Sequence, residues 1–316
     1  MNSLENVVVS SAKTISSLRW QGLIPVLNTP FTLDGKVDII SLINLCDYVA
    51  YAKVPAVLVL GVASENAHLS AVERDLVLTT IAKSSKNRFD IIADLSESKF
   101  DEIPSVISHM SALGVAAINW RPTSTIDPNQ ITTVLRAIST DSDLCIMLQD
   151  FDLYGAGLPD TAIIQALGNF DRLQAVKIEV QDSVEKINRL KKVVTRPVTF
   201  CSGWPISNFL DALVNGADVS MSTSLTPLLS YLIQTLNSDE PERAHSTFAT
   251  LEPLFGQMTK SLGSSIRINK EIRVAEGVFE TNSCRFQLAK DYKVSNSTDE
   301  MIRAAVSLQE SLTGWR

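Results

Sequence analysis

The feature that most constrains this chain is an alternation. Short runs rich in β-forming residues recur eight times, each followed by a longer stretch of helical period. The runs cover 22–28 (GLIPVLN), 56–60 (AVLVL), 89–93 (FDIIA), 115–119 (VAAIN), 144–149 (LCIMLQ), 173–177 (LQAVK), 197–201 (PVTFC) and 218–222 (DVSMS). They are nearly continuous in apolar residues, as parallel strands are when both faces are covered. Helix starts are legible between them. Ser70 with Glu73 and Asp182 with Glu185 have the spacing of capping boxes. Asp127-Pro128 places proline at a first helical position, and Gly114 and Gly216 stand where helix C-caps precede strands.

Eight such units in about 220 residues match a (β/α)8 TIM barrel. A doubly wound open sheet would normally carry a glycine-rich nucleotide turn after its first strand. This chain has NTPFTLDG there, which favours the α/β barrel. After Leu236 the strand signal stops. Helices are expected from Asp239, over 265–277 and over 298–312, the last with Ser297 and Glu300 as a capping box. The predicted organisation is therefore a polar arm at 1–18, a barrel at 19–237 and a C-terminal helical domain at 238–316.

Composition removes several function classes. Lys and Arg number 28 against 35 Asp and Glu, a net charge of −7. That sign argues against a general nucleic-acid or acidic-membrane binder. No apolar run reaches the roughly 18 residues of a membrane span. The first 18 residues carry Glu5 and lack a basic n-region, so a cytoplasmic protein without a secretory signal is expected. Cys46, Cys145, Cys201 and Cys284 are far apart and lack metal-ligand spacing, and they read as buried small hydrophobes. His68, His109 and His245 share no motif, so no metal site and no Ser-His-Asp triad is expected.

In a (β/α)8 barrel the chemistry sits at the C-terminal ends of the strands. Lys177 ends the apolar run LQAVK, so its amine should project into the barrel mouth. Desolvation there lowers a lysine pKa and frees the amine as a nucleophile toward carbonyls. The other reading makes it a structural lysine paired with Glu179 or Asp150.

A set of residues runs along the chain in a specific order and spacing: Thr29-Pro30-Phe31 with Asp34, Gly35 and Asp38, then Gly61, Glu65, Leu69, Glu73 and Arg74. Gly114, Lys177, Ser202-Gly203, Asn215-Gly216-Ala217-Asp218 and Pro227 follow. In these anchors, over 20–290, the chain resembles the dihydrodipicolinate synthase / N-acetylneuraminate lyase superfamily. The resemblance implies a Schiff base between Lys177 and a 2-oxo acid, often pyruvate, with no metal or dissociable cofactor. It also implies a homodimer or homotetramer. Ala63, Ser64, Gly203, Met221 and Tyr154 fall at substrate-binding positions.

The departures are equally informative. Where the family has G-T-T-G-E, this chain has Gly61-Val62-Ala63-Ser64-Glu65, so both threonine hydroxyls are gone. Backbone N–H groups of Ala63 and Ser64 remain for a carboxylate, and Ser64 offers a replacement hydroxyl. P-Y-Y becomes Pro122-Thr123-Ser124. Y-N-x-P becomes Gln149-Asp150-Phe151-Asp152, and the arginine used for a second carboxylate falls near Tyr154. Gln149 is expected to contact substrate by hydrogen bonding without moving protons. Candidates for the missing acid–base function are Glu65, Asp94 and Asp150, with Ser64, Ser124 and Tyr154 as hydroxyls. Trp120 and Trp204 are candidate walls of an apolar pocket. The expected function is a Schiff-base lyase, an aldolase or dehydratase. The alternative is a non-catalytic or regulatory paralogue that binds a small oxo acid.

Overall fold

The computed structural model describes residues 19–123, 125–140 and 142–315. The expected arm at 1–18 and Ser124 lie outside the described residues. Eight strands appear where the apolar runs stand: β1 Gly22–Pro25, β2 Ala56–Val59, β3 Asp90–Asp94, β4 Ala117–Trp120, β5 Cys145–Asp152, β6 Leu173–Val180, β7 Thr199–Ser202 and β8 Val219–Ser222. All pair in parallel, in the order β1-β8-β7-β6-β5-β4-β3-β2. A parallel bridge between Val26 and Leu58 closes the remaining seam. The result is a (β/α)8 TIM barrel.

Eight helices wrap it: α1 Ile39–Tyr51, α2 Ala71–Ser85, α3 Ile103–Ala112, α4 Pro128–Thr140, α5 Asp160–Asn169, α6 Ser183–Val193, α7 Phe209–Val214 and α8 Thr226–Leu236. Five more follow: α9 Pro241–Ala249, α10 Glu252–Met258, α11 Leu262–Ala275, α12 Gln287–Asp291 and α13 Asn296–Thr313. The Ser70–Glu73 capping box forms as the sequence predicts. Asp182 does stand at the N-cap of α6, but its side chain caps nothing. The last helix starts earlier than expected. Ser295, not Ser297, caps α13 by accepting from the Thr298 N–H.

Two layers of apolar side chains hold this together. Strand period sends alternate residues inward and outward. Ile24, Leu58, Ile92, Ala117, Met147, Ala175, Val219 and their neighbours fill the barrel interior. The outward set, with the inner faces of the helices, forms the larger layer. The same period then decides the barrel mouth. Two residues beyond Ile92, Ala117, Met147 and Ala175 stand Asp94, Asn119, Gln149 and Lys177, and Glu179 follows Lys177 by two more. Polar groups thus lie directly above an apolar plug.

The C-terminal helices are fastened to this mouth by buried charge. Lys270 on α11 lies 2.5 Å from the Glu65 carboxylate, both fully buried. The other Glu65 oxygen accepts the N–H groups of Arg285 and Phe286, each at 2.6 Å. Lys270 also donates to the Ser283 carbonyl at 2.7 Å and sits 4.2 Å above the Phe31 ring. Burial pushes the Lys270 pKa down, with Glu65 acting in the opposite sense. Arg285 then reaches Glu73 and the Gly35 carbonyl. Removing one partner of a buried pair leaves an uncompensated charge, at a cost of about 3–5 kcal/mol. Lys270→Met is expected to lower unfolding stability by that order in urea titration. An unchanged midpoint would contradict the role given to this pair.

Candidate active site

The polar residues above the plug form one chain of contacts across four neighbouring strands. Lys177 is 3% exposed, and its Nζ lies 3.0 Å from Glu179 Oε2. Gln149 Nε2 donates to the same oxygen at 2.5 Å. Gln149 Oε1 accepts from Asn119 Nδ2 at 2.8 Å, and Asn119 Nδ2 also donates to Asp94. Asp94 is anchored by the Ser96 N–H at 2.8 Å and the Ser96 hydroxyl at 3.1 Å. Burial raises the Asp94 pKa, which these donors partly offset. Strand register explains the assembly. Asp94 is opposite Asn119, and Gln149 is opposite Lys177.

Lys177 and Glu179 open onto a cavity that Ala63, Gly203, Met221 and Ser222 help to line. Gly203 has no side chain for a steric reason. A Cβ there would sit 2.9 Å from both Lys177 Cε and Glu179 Cδ. Ser222 Oγ is buried and has no hydrogen-bond partner among the described residues. Ser224 donates to Asn269 Oδ1 at 2.6 Å, so α11 supplies part of the wall. The far side is apolar, with Phe151, Trp204, Ile206, Leu229, Phe255 and Met258. Lys177 and Glu179 are the only charged side chains among the described lining residues.

Several expected site residues stand elsewhere. Ser64 spends its hydroxyl on the Leu27 carbonyl at 2.5 Å and does not line the cavity. Glu65 adopts a left-handed conformation, φ +58°, that turns its carboxylate toward Lys270 and away from Lys177. Asp150 follows the inward-facing Gln149 and therefore points outward. There it lies 2.6 Å from Lys186 Nζ and accepts the Leu158 N–H at 2.7 Å. Neither carboxylate is positioned to exchange protons with Lys177. Tyr154 is 78% exposed and outside the cavity lining. Trp120 belongs to the outer core, while Trp204 lines the cavity. The Cys201 thiol lies near Lys177, but burial pushes its pKa up, which removes it as a nucleophile.

Two groups in the cavity have no assigned role in the sequence reading. Ser222 ends β8, so its position was visible but its unpartnered hydroxyl was not. Glu179 appears there only as a possible structural partner of Lys177. Its signal is the spacing Lys177-Ile178-Glu179, because residues two apart on a strand share a face. The arrangement places a lysine amine and a carboxylate side by side, against a mostly apolar chamber. That is a chemistry of carbonyl addition and proton exchange.

Comparisons with known proteins bear on the family and the fold. The chain is 27% identical over 219 residues to a 4-hydroxy-tetrahydrodipicolinate synthase of Rickettsia bellii (strain OSU 85-389), covering 68% of this chain and 74% of that protein. Its fold matches the dihydrodipicolinate synthase of Rhodopseudomonas palustris with a TM-score of 0.79 at 23% identity, over 91% of this chain and 97% of the other. It matches the sialic acid aldolase of Ruminococcus gnavus with a TM-score of 0.81 at 19% identity, over 94% and 99% of the two chains. Residues 19–307 match the model of the dihydrodipicolinate synthetase family, and the chain belongs to that family.

Proposed function

We propose that this protein is a lyase that forms a Schiff base between Lys177 and a 2-oxo acid and makes or breaks the bond at the adjacent carbon. The observation that carries the reading is the Lys177 amine, buried on the inward face of β6, lining a cavity and paired with a single carboxylate. An iminium at C2 withdraws electrons from C3, so a C3 proton or a C3–C4 bond can leave with its pair delocalised onto nitrogen. The 2-oxo acid carboxylate would lie between the Ala63 N–H and the Ser222 hydroxyl, both in the cavity lining. The Lys177–Glu179 ion pair also favours a second reading, a structural lysine in a non-catalytic paralogue. Trapping separates the two. Borohydride added with pyruvate is expected to attach the reduced adduct to the Lys177 peptide, and Lys177→Ala to abolish it. Adduct on another lysine, or none with any of a panel of 2-oxo acids, would refute the assignment.

The cavity also bears on the second reactant. Its far wall offers apolar surface and, among the described lining residues, no cation besides Lys177. The carboxylate of an acceptor such as aspartate semialdehyde would lose hydration there without gaining a cationic partner. An aromatic side chain gains roughly 1.5–3 kcal/mol on full burial, which corresponds to about 10–150-fold in rate or affinity. Condensation of pyruvate with benzaldehyde is therefore expected to exceed condensation with aspartate semialdehyde in kcat/KM by at least about tenfold. An ordinary synthase turnover with aspartate semialdehyde, on the order of 1–10³ s⁻¹, would overturn this expectation.

A further inference from the structure

We propose that Glu179 is the acid–base group of this site, with Gln149 as the residue that positions it. The proposal rests on the Schiff-base reading of Lys177. Val62 and Gln149 stand where the family pattern has a threonine and a tyrosine, and neither can move a proton. Glu65 and Asp150 are turned away into ion pairs of their own. Glu179 is the carboxylate in the cavity lining, and it touches the reacting nitrogen.

Its two oxygens are not equivalent. Oε2 takes Lys177 Nζ at 3.0 Å and Gln149 Nε2 at 2.5 Å. Oε1 has no hydrogen bond among the described residues and is the oxygen closest to the space a Gly203 Cβ would fill. One oxygen thus serves the amine, while the other has no donor and lies beside Gly203 in the cavity lining, the side on which we place C2 and C3 of a bound 2-oxo acid. Gln149 has its carbonyl oxygen taken by Asn119 and an amide hydrogen taken by Glu179. It is buried, outside the cavity lining, and acts by fixing the Glu179 carboxylate.

The proton inventory closes with this one carboxylate. Glu179 takes a proton from the Lys177 ammonium, leaving a neutral amine and a carboxylic acid. The nitrogen lone pair forms the N–C2 bond while the carbonyl π pair moves to oxygen, which takes the Glu179 proton. The nitrogen returns one proton to Glu179, giving a neutral carbinolamine. Glu179 then protonates the hydroxyl, the C2–O bond breaks, water leaves and the iminium forms. The carboxylate next removes a proton from C3, and the freed pair becomes the C2=C3 bond of an enamine while the C=N π pair returns to nitrogen. For cleavage, the same carboxylate takes the proton of the C4 hydroxyl, the C3–C4 bond breaks and an aldehyde departs. No oxidant, reductant or further reactant enters.

The test compares wild type, Glu179→Gln and Glu179→Asp with pyruvate as probe. Exchange of the pyruvate methyl protons is followed by NMR in D2O. Equilibrium borohydride trapping and thermal melting are measured on the same samples. Trapping on Lys177 after long incubation is expected in all three, because the ammonium and the iminium carry the same charge beside residue 179, so its loss shifts both alike. Exchange is expected to fall by about 10²–10⁴-fold in Glu179→Gln and to recover in part in Glu179→Asp. Wild-type exchange in a trapping-competent Glu179→Gln overturns the role of Glu179 and leaves Lys177 untouched. Loss of trapping in both folded variants makes Glu179 a structural partner and also overturns it. A wild type that traps nothing overturns the Lys177 reading and this proposal together.

Discussion

The 3.0 Å contact between Lys177 and Glu179 is the one on which the rest of the barrel mouth depends. Two opposite charges are nearly shut off from water there. Burying them is tolerable because each offsets the other and because Gln149 adds a short hydrogen bond to the carboxylate. Gln149 in turn needs Asn119, and Asn119 needs Asp94. A partly satisfied buried network is costlier than an apolar core, so these five residues have to be read as one unit. They occupy adjacent strands because parallel register carries one inward position to the next.

The C-terminal helices are the second requirement. They supply Phe255, Met258 and Asn269 to the cavity wall, so the site is incomplete without them. Their attachment runs through buried ion pairs as well as apolar packing. Lys270 meets Glu65, and Arg273 meets Glu276 at 3.0 Å. Glu276 also accepts from Tyr48 on α1, which ties α11 to the first β/α unit. Glu65, although it stands at the barrel mouth, is thereby committed to architecture.

The strand count and the barrel were legible from apolar periodicity, and so was the place of Lys177 on the sixth strand, although β6 runs on to Val180 where the apolar run stops at Lys177. The placement of the carboxylates was harder to read. Asp150 lies next to Gln149 in sequence, but period two sends it to the opposite face, where Lys186 waits. Strict application of that period would have excluded it and promoted Glu179. Glu65 is different. Only its left-handed backbone and the arrival of Lys270 from 205 residues further along turn it outward, and neither is written locally. Ser64 likewise looked free until the Leu27 carbonyl was placed beside it. Tyr154 lies in the loop after β5, whose path is set by Lys186 gripping the Ala156 and Leu158 carbonyls.

The central claim is that one carboxylate serves both the Lys177 nitrogen and the neighbouring carbon of the bound acid. The most direct measurement is a crystal structure of the borohydride-reduced pyruvate adduct. The account predicts the adduct on Lys177, with its methyl carbon facing Glu179 at roughly 3–3.5 Å, a near-attack separation, and its carboxylate at Ala63 and Ser222. A methyl group turned toward Ser222, or Glu179 displaced from Gln149 and out of reach, would contradict it.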